Sequence, residues 1–336
     1  KLQRKLWGAF EIVSSTAQHA NSEFSKSAMI GANLDDNAGV ALWLSDLNKP
    51  LSLCGKTELV GVCYLPEAGV KRAYIEGQSF VGAQLINGET KKSERELPAI
   101  NQEMIESNSF FLSGTSIIDS VFDLEYLLTH DTIVNSFSNK TVTVQSEQIN
   151  LIDKVVSGNV IFVSSNTIFI GEDCEISDAI FYAPKIVIED GFKGSIQVFA
   201  TDSIFIGQDV ELNYPSVIGL IKQGEGTKPS FVTIDEGAKI QGVVFGTSGN
   251  SNQEIQLTIN KGVEIEGQVY CSGSVDHKGT IYGSLLCQKL ILKTPSSVYE
   301  NHLLNAVVDN SKLSNHFVGV NLLSQSNSRA IVRWMN

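Results

Sequence analysis

From Asn166 to Gly207 the chain reads NTIFIGEDCEISDAIFYAPKIVIEDGFKGSIQVFATDSIFIG. Within it the doublets Ile168/Ile170, Ile186/Ile188 and Ile204/Ile206 recur at a step of 18 residues. Side chains i and i+2 of a strand leave the same face, so each doublet is a short inward-pointing pair. Counting by sixes from Ile168 reaches Cys174, Ile180, Ile186, Phe192, Val198 and Ile204. Offset by two, the row is Ile170, Ile176, Tyr182, Ile188, Gly194, Ala200 and Ile206. Three sides of about six residues predict a coil whose equivalent positions stack about 4.8 Å apart. A single coil cannot bury its own apolar row, so several must stack.

The series continues with Val232/Ile234 after 28 residues and Leu257/Ile259 after 25 more. The longer intervals hold turn-rich text, Gly224–Pro229 and Gly246–Asn250, which is expected to protrude from corners. Asp173, Gly191, Asp209, Gly237 and Gly262 each stand three residues past a doublet, where a sharp corner needs residues tolerant of left-handed backbone. The predicted fold is all-β: a parallel β-solenoid with β caps at both ends and one docked α-helix.

Residues 1–50 read as an N-terminal β cap, with Leu2, Leu6, Phe10 and Ile12 alternating against polar neighbours. Trp7 falls among the polar positions and is expected to pack on a neighbouring layer. Residues 51–98, with Leu53, Leu59 and Leu65 six apart, read as the first solenoid coils. Residues 99–131 read as a helical insertion, because Ile117, Val121, Leu124 and Leu128 follow one helical stripe and Ser116 is placed to cap it. Residues 132–294 form the main solenoid, and 295–336 a C-terminal cap.

A balance of 25 basic to 37 acidic residues, net −12, argues against nucleic acid as the main partner. No apolar run is long enough to span a membrane as a helix; attachment is expected only through an N-terminal anchor missing from this chain. The five cysteines contain no CxxC pair and read as small core residues, while Cys54 and Cys63, nine apart, leave a bridge open.

The units Leu53-x-Gly55, Leu59-x-Gly61, Ile75-x-Gly77, Ile240-x-Gly242, Ile265-x-Gly267 and Ile281-x-Gly283 resemble those of bactofilin-type, polymer-forming β-helix domains. The resemblance spans residues 50–98 and 160–294. It implies a right-handed β-helix without an active site or cofactor, acting as a scaffold through self-assembly or protein partners. This chain departs from that family in its helical insertion, long corner loops and elaborated ends. The chain also resembles anchored envelope proteins of Bacteroidetes-type bacteria, which implies the cell envelope or surface; a cytoplasmic scaffold is the other placement.

Three chemistries compete with this inert reading. His277, between Asp276 and Lys278, reads as a corner residue, and as the one candidate base if the six-residue step belonged to a hexapeptide acyltransferase. The corner acids Glu172, Asp173, Glu189, Asp190, Asp209, Asp235 and Glu236 read as solvated turn residues, with Asp173, Asp190, Asp209 and Asp235 as Ca²⁺ candidates. A carbohydrate-binding or carbohydrate-active groove is the alternative function, with Phe181, Tyr182 and Phe199 as its aromatics; only Lys185, Lys193 and Lys239 lie near as bases. The expectation is a non-enzyme.

Overall fold

The computed structural model describes every residue except 21, 34–38, 114–120, 123–128, 225–227, 249–253, 324–327 and 336. The chain is mostly β with many parallel strands, and among the described residues its α-helix is α1, Gln102–Leu112. The doublets pair in register: Ile168 with Ile186, Ile186 with Ile204, then Val232, Leu257 and Val275 in succession. Register therefore survives the two long intervals. Most strands from Val40 to Asp309 join in one closed, predominantly parallel sheet system, while Leu51–Cys54, Val70–Arg72 and His302–Leu304 form a separate three-stranded parallel sheet. Each turn of chain presents three inward pairs, such as Cys174/Ile176, Phe181/Ala183 and Ile186/Ile188, to one continuous core.

The middle pair corrects the count by sixes. Ile180 pairs with Gln197 and Phe181 with Val198, a separation of 17 residues (197 − 180) rather than 18. A one-residue slip exchanges the faces of a strand. Phe181 consequently lies inside, stacked on Phe162 at 4.9 Å, while Ile180 and Tyr182 face outward.

Residues 51–98 come early in the sequence but late in the stack. Beyond Thr280–Lys293 the next turn is composite: His302–Leu304 and Val307–Asp309 supply two sides, and Val40–Leu44 the third. Leu285, Leu286 and Cys287 pair with Leu42, Trp43 and Leu44, and Thr280 pairs with Val307. Leu53, Leu59 and Tyr64 stack on this composite turn. Phe80, Leu85 and Ile86 then pack against the core at that end.

The two expected end caps are one flank cover. Strands β1 (Leu2–Trp7), β2 (Phe10–His19) and β3 (Ser22–Asn33) form an antiparallel meander, and Val318–Gly319 and Arg329–Met335 both pair with β3. The single strand expected over Leu2–Ile12 breaks at Gly8, whose φ of +59° makes the turn. Trp7, Phe10, Ile12 and Met29 bury the outward residues Ile161, Ile180, Tyr182 and Phe199 in a second core, so Trp7 does pack on a neighbouring layer. The termini cover the side because that side is apolar outside as well as in.

Helix α1 packs into the same second core. Asn101 Oδ1 caps it by accepting from Met104 N–H at 3.3 Å. Asn108 donates to the Gly8 and Met104 carbonyls and accepts from the Tyr182 hydroxyl at 2.8 Å, tying helix, hairpin turn and outward row together. Of the stripe expected to be helical, Val121 lies in a two-residue strand paired with Thr143. Ser116, Ile117, Leu124 and Leu128 lie outside the described residues. All five cysteines are buried and free, Cys54 and Cys63 included.

Gln197 locks the hairpin to the stack. Its Oε1 accepts from Ala9 N–H at 2.8 Å, and its Nε2–H donates to the Trp7 carbonyl at 3.1 Å. Gln197→Leu strands both main-chain groups in a buried site, so a loss of about 2 kcal/mol is expected in chemical denaturation. A loss under about 0.5 kcal/mol would show that the clamp is dispensable.

Candidate functional site

The side that carries the cover has two outward rows, each traceable through strand register. The first runs Tyr182, Phe199, Gly219, Phe245, Tyr270 and Leu286, then crosses to Trp43, Tyr64 and Lys91 on the N-terminal segment. The second runs Ile180, Gln197, Val217, Val243, Gln268 and Ser284. Over the earlier turns both rows lie beneath the sheet and α1. Towards the composite turn they instead line a cavity of about 150 Å³.

The stack contributes Trp43, Tyr64, Gln268, Ser284 and Leu286 to this cavity; facing them are Asn310, Leu313, Phe317 and Leu323. Among the described residues no Asp, Glu, Lys, Arg or His side chain lines it. Trp43 and Tyr64 stack at 4.1 Å with their planes 20° apart, and Lys91 Nζ stands 5.7 Å from the Tyr64 ring centre. Leu286 precedes Trp43 in the row, so the ring faces are largely taken up by row neighbours. Two polar groups are stranded here: Gln268 Oε1, on a residue only 6% exposed, and Trp43 Nε1 are buried without a partner. A buried acceptor and a buried donor left unpaired are costly. Tyr270 closes the margin by donating to the Pro98 carbonyl at 3.3 Å, and burial pushes its phenol up to about 12.

The residues singled out from sequence lie elsewhere. Phe181 is inside the stack, and Tyr182 and Phe199 are covered, so they form no open aromatic groove. Burial holds the Tyr182 phenol well above its usual range. The corner acids serve the corners: Asp190 Oδ1 accepts from Gln208 N–H, Glu189 Oε2 from Glu172 N–H, and Asp235 Oδ1 from Glu236 N–H and the Asn260 amide. Asp209, at φ +52°, adopts the left-handed corner itself, and Asp173 is exposed beside Cys174. Among the described residues no three His, Cys, Asp or Glu side chains come together to hold a metal. Lys193 pairs with Glu211 at 3.2 Å in a charge-alternating outward row that continues through Lys239 and Glu264, while Lys185 is exposed on another side.

His277 is no corner residue. It ends the strand Glu264–His277, pairs with Ile259 in the inward row and is 2% exposed. Its Nε2–H donates to the Val307 carbonyl at 3.0 Å, leaving Nδ1 buried without a partner. Burial lowers its pKa from 6.5 to about 4. Eighteen residues on from Ile259 is His277, so the repeat itself carried the signal. Nothing comparable marked Gln268 or Trp43, which belong to rows made only by stacking.

No family model matches the chain, and no curated protein or solved structure matches it. Among the described residues no helix is long and apolar enough to cross a membrane.

Proposed function

We propose that this chain is a right-handed β-helix working as a non-catalytic binding scaffold, which holds a neutral carbohydrate at its flank without transforming it. The observation that carries the reading is the flank cavity: aromatic and amide groups on strands and, among the described residues, no charged side chain in the lining. Strands of a packed stack hold such groups more firmly than loops do. Association with the cell envelope, and protein partners at the other sides, belong to the same proposal and rest on the sequence resemblance.

Phe80, Leu85 and Ile86 fill one end of the core, which favours a discrete particle over an open-ended polymer. Analytical ultracentrifugation with negative-stain microscopy at several concentrations, with and without Ca²⁺, is expected to give one discrete species. Filaments that lengthen with concentration would restore the polymer-forming reading. Neutral oligosaccharides incubated with the protein are expected to be recovered intact, and any shortening would overturn the non-catalytic assignment.

A further inference from the structure

We infer that the outward face of the cover sheet docks on an anionic membrane surface, with its apolar side chains among the lipids and its bases on the headgroup phosphates. The inference does not depend on the flank cavity. Strand register separates the two faces of this sheet. Ile12 and Met29, paired across β2 and β3, face the second core. The alternate positions form outward rows: Arg4, Val13, Ala28 and Trp334 in one, Leu6, Glu11, Ile30 and Ile331 in the next. An antiparallel sheet that covers a core on one face ordinarily turns polar residues to water on the other. Here Trp334 is 54% exposed and Ile331 47%, and along the same face Leu2 is 72% and Phe24 69% exposed. Apolar side chains grouped on a solvent face mark a contact surface.

Charge decides what covers it. Residues 1–33 and 329–335 hold six basic side chains, Lys1, Arg4, Lys5, Lys26, Arg329 and Arg333, against the acids Glu11 and Glu23. The rest of the chain holds 19 basic (25 − 6) and 35 acidic (37 − 2) residues, so a cover of +4 sits on a body of −16. In the outward rows the acid, Glu11, is buried, with Arg4 Nε at 2.6 Å and Arg329 Nε at 3.4 Å. Arg4 and Lys26 reach solvent, and Lys26 Nζ lies 4.0 Å from the Trp334 ring centre. Asn21 and Asn336, next to these strands in sequence and outside the described residues, add no charged side chain. A second copy meeting this face would set like charges opposite one another. An anionic bilayer takes both parts, since Trp and aliphatic groups enter the interface while Lys and Arg stems reach back to phosphate. The apolar positions spread along the sheet from Phe24 on the hairpin to Ile331, which suits a fluid surface. Salt screens charges beyond about 8 Å, so the near face rather than the net −12 governs the approach.

The test is sedimentation of the whole chain with phosphatidylcholine vesicles, and with vesicles of equal parts phosphatidylcholine and phosphatidylglycerol. Binding to the mixed vesicles is expected, about tenfold tighter than to phosphatidylcholine alone and weakened by added salt. Of the three tryptophans Trp334 alone is more than half exposed, so its emission is expected to move to shorter wavelength on binding. Lys26→Gln is expected to weaken binding about fivefold, the worth of one base near an anionic surface. Trp334→Ser is expected to weaken it several-fold and to abolish the emission shift. Both side chains are exposed, and an unchanged melting temperature checks that each variant keeps the fold. Equal binding to the two vesicle types, or no loss with Lys26→Gln, would overturn the anionic assignment; no binding to either vesicle would overturn the inference outright. A dimer in analytical ultracentrifugation that Ile331→Asp disperses would give the face to a second copy. Stronger binding of poly-glutamate than of the mixed vesicles would give it to an acidic protein, and either result overturns the membrane.

Discussion

Gly267→Ala is expected to destabilise the protein by about 3–5 kcal/mol, enough to shift a urea transition strongly or abolish it. Gly242, Gly267 and Gly283 stack in register at one corner with φ of +153°, +146° and +150°. A Cβ on Gly267 would stand 1.8 Å from the Gly242 carbonyl oxygen and 2.9 Å from the Phe317 ring. That oxygen is main chain within the ladder, so relief requires separating two layers. Gly77→Ala is the control: at φ +77° it has the same sign of φ, but its Cβ would meet nothing within 4 Å. About 1 kcal/mol of backbone cost is expected there. Similar losses for the two variants would refute a role for close layer contact. This corner also explains the units Ile240-x-Gly242, Ile265-x-Gly267 and Ile281-x-Gly283: the apolar residue fills the core, and the glycine lets the next layer approach.

Acidification from pH 7 to pH 4 is expected to remove roughly 3 kcal/mol of stability through His277 alone, 2.5 pKa units at about 1.4 kcal/mol each. The folded state holds the ring neutral, with a pKa of about 4 against 6.5 unfolded. Between those values the unfolded chain binds more protons. The contribution is therefore complete above pH 6.5 and is lost as pH falls towards 4. Asp276 on the same strand is occupied by Lys278 at 3.0 Å, outside the inward row. His277→Ile copies the paired Ile259 and is expected to flatten this part of the pH profile, measured by denaturation at pH 5 and pH 7. An unchanged slope would show that His277 is not the titrating group.

Much of the architecture is readable from residues. The doublets from Ile168 to Leu257 pair as their spacing requires, and the parallel β character follows from it. Counting by sixes fails at the middle pair because Ile180, Phe181 and Tyr182 are all apolar: with a core on either side of the strand, alternation no longer marks which residue points in. The same ambiguity hid the aromatic row. The cover and the cavity were hidden for another reason, since Trp43 and Leu286 are neighbours across 243 residues (286 − 43) with no shared local pattern.

By itself, the sequence determined the repeat, its corners and the strands, because each inward pair and corner is set by residues within one turn of chain. Only the tertiary structure decided the order of the layers, the composite turn at Val40–Leu44 and the place where the flank cover stops. Parallel ladders join through backbone groups that every residue carries, so Leu42 or Leu53 fits on any turn locally. What selects the partner is the whole path: β3 delivers Val40 to the stack, and the strand ending at Asp309 leaves it to rejoin the sheet beside β3.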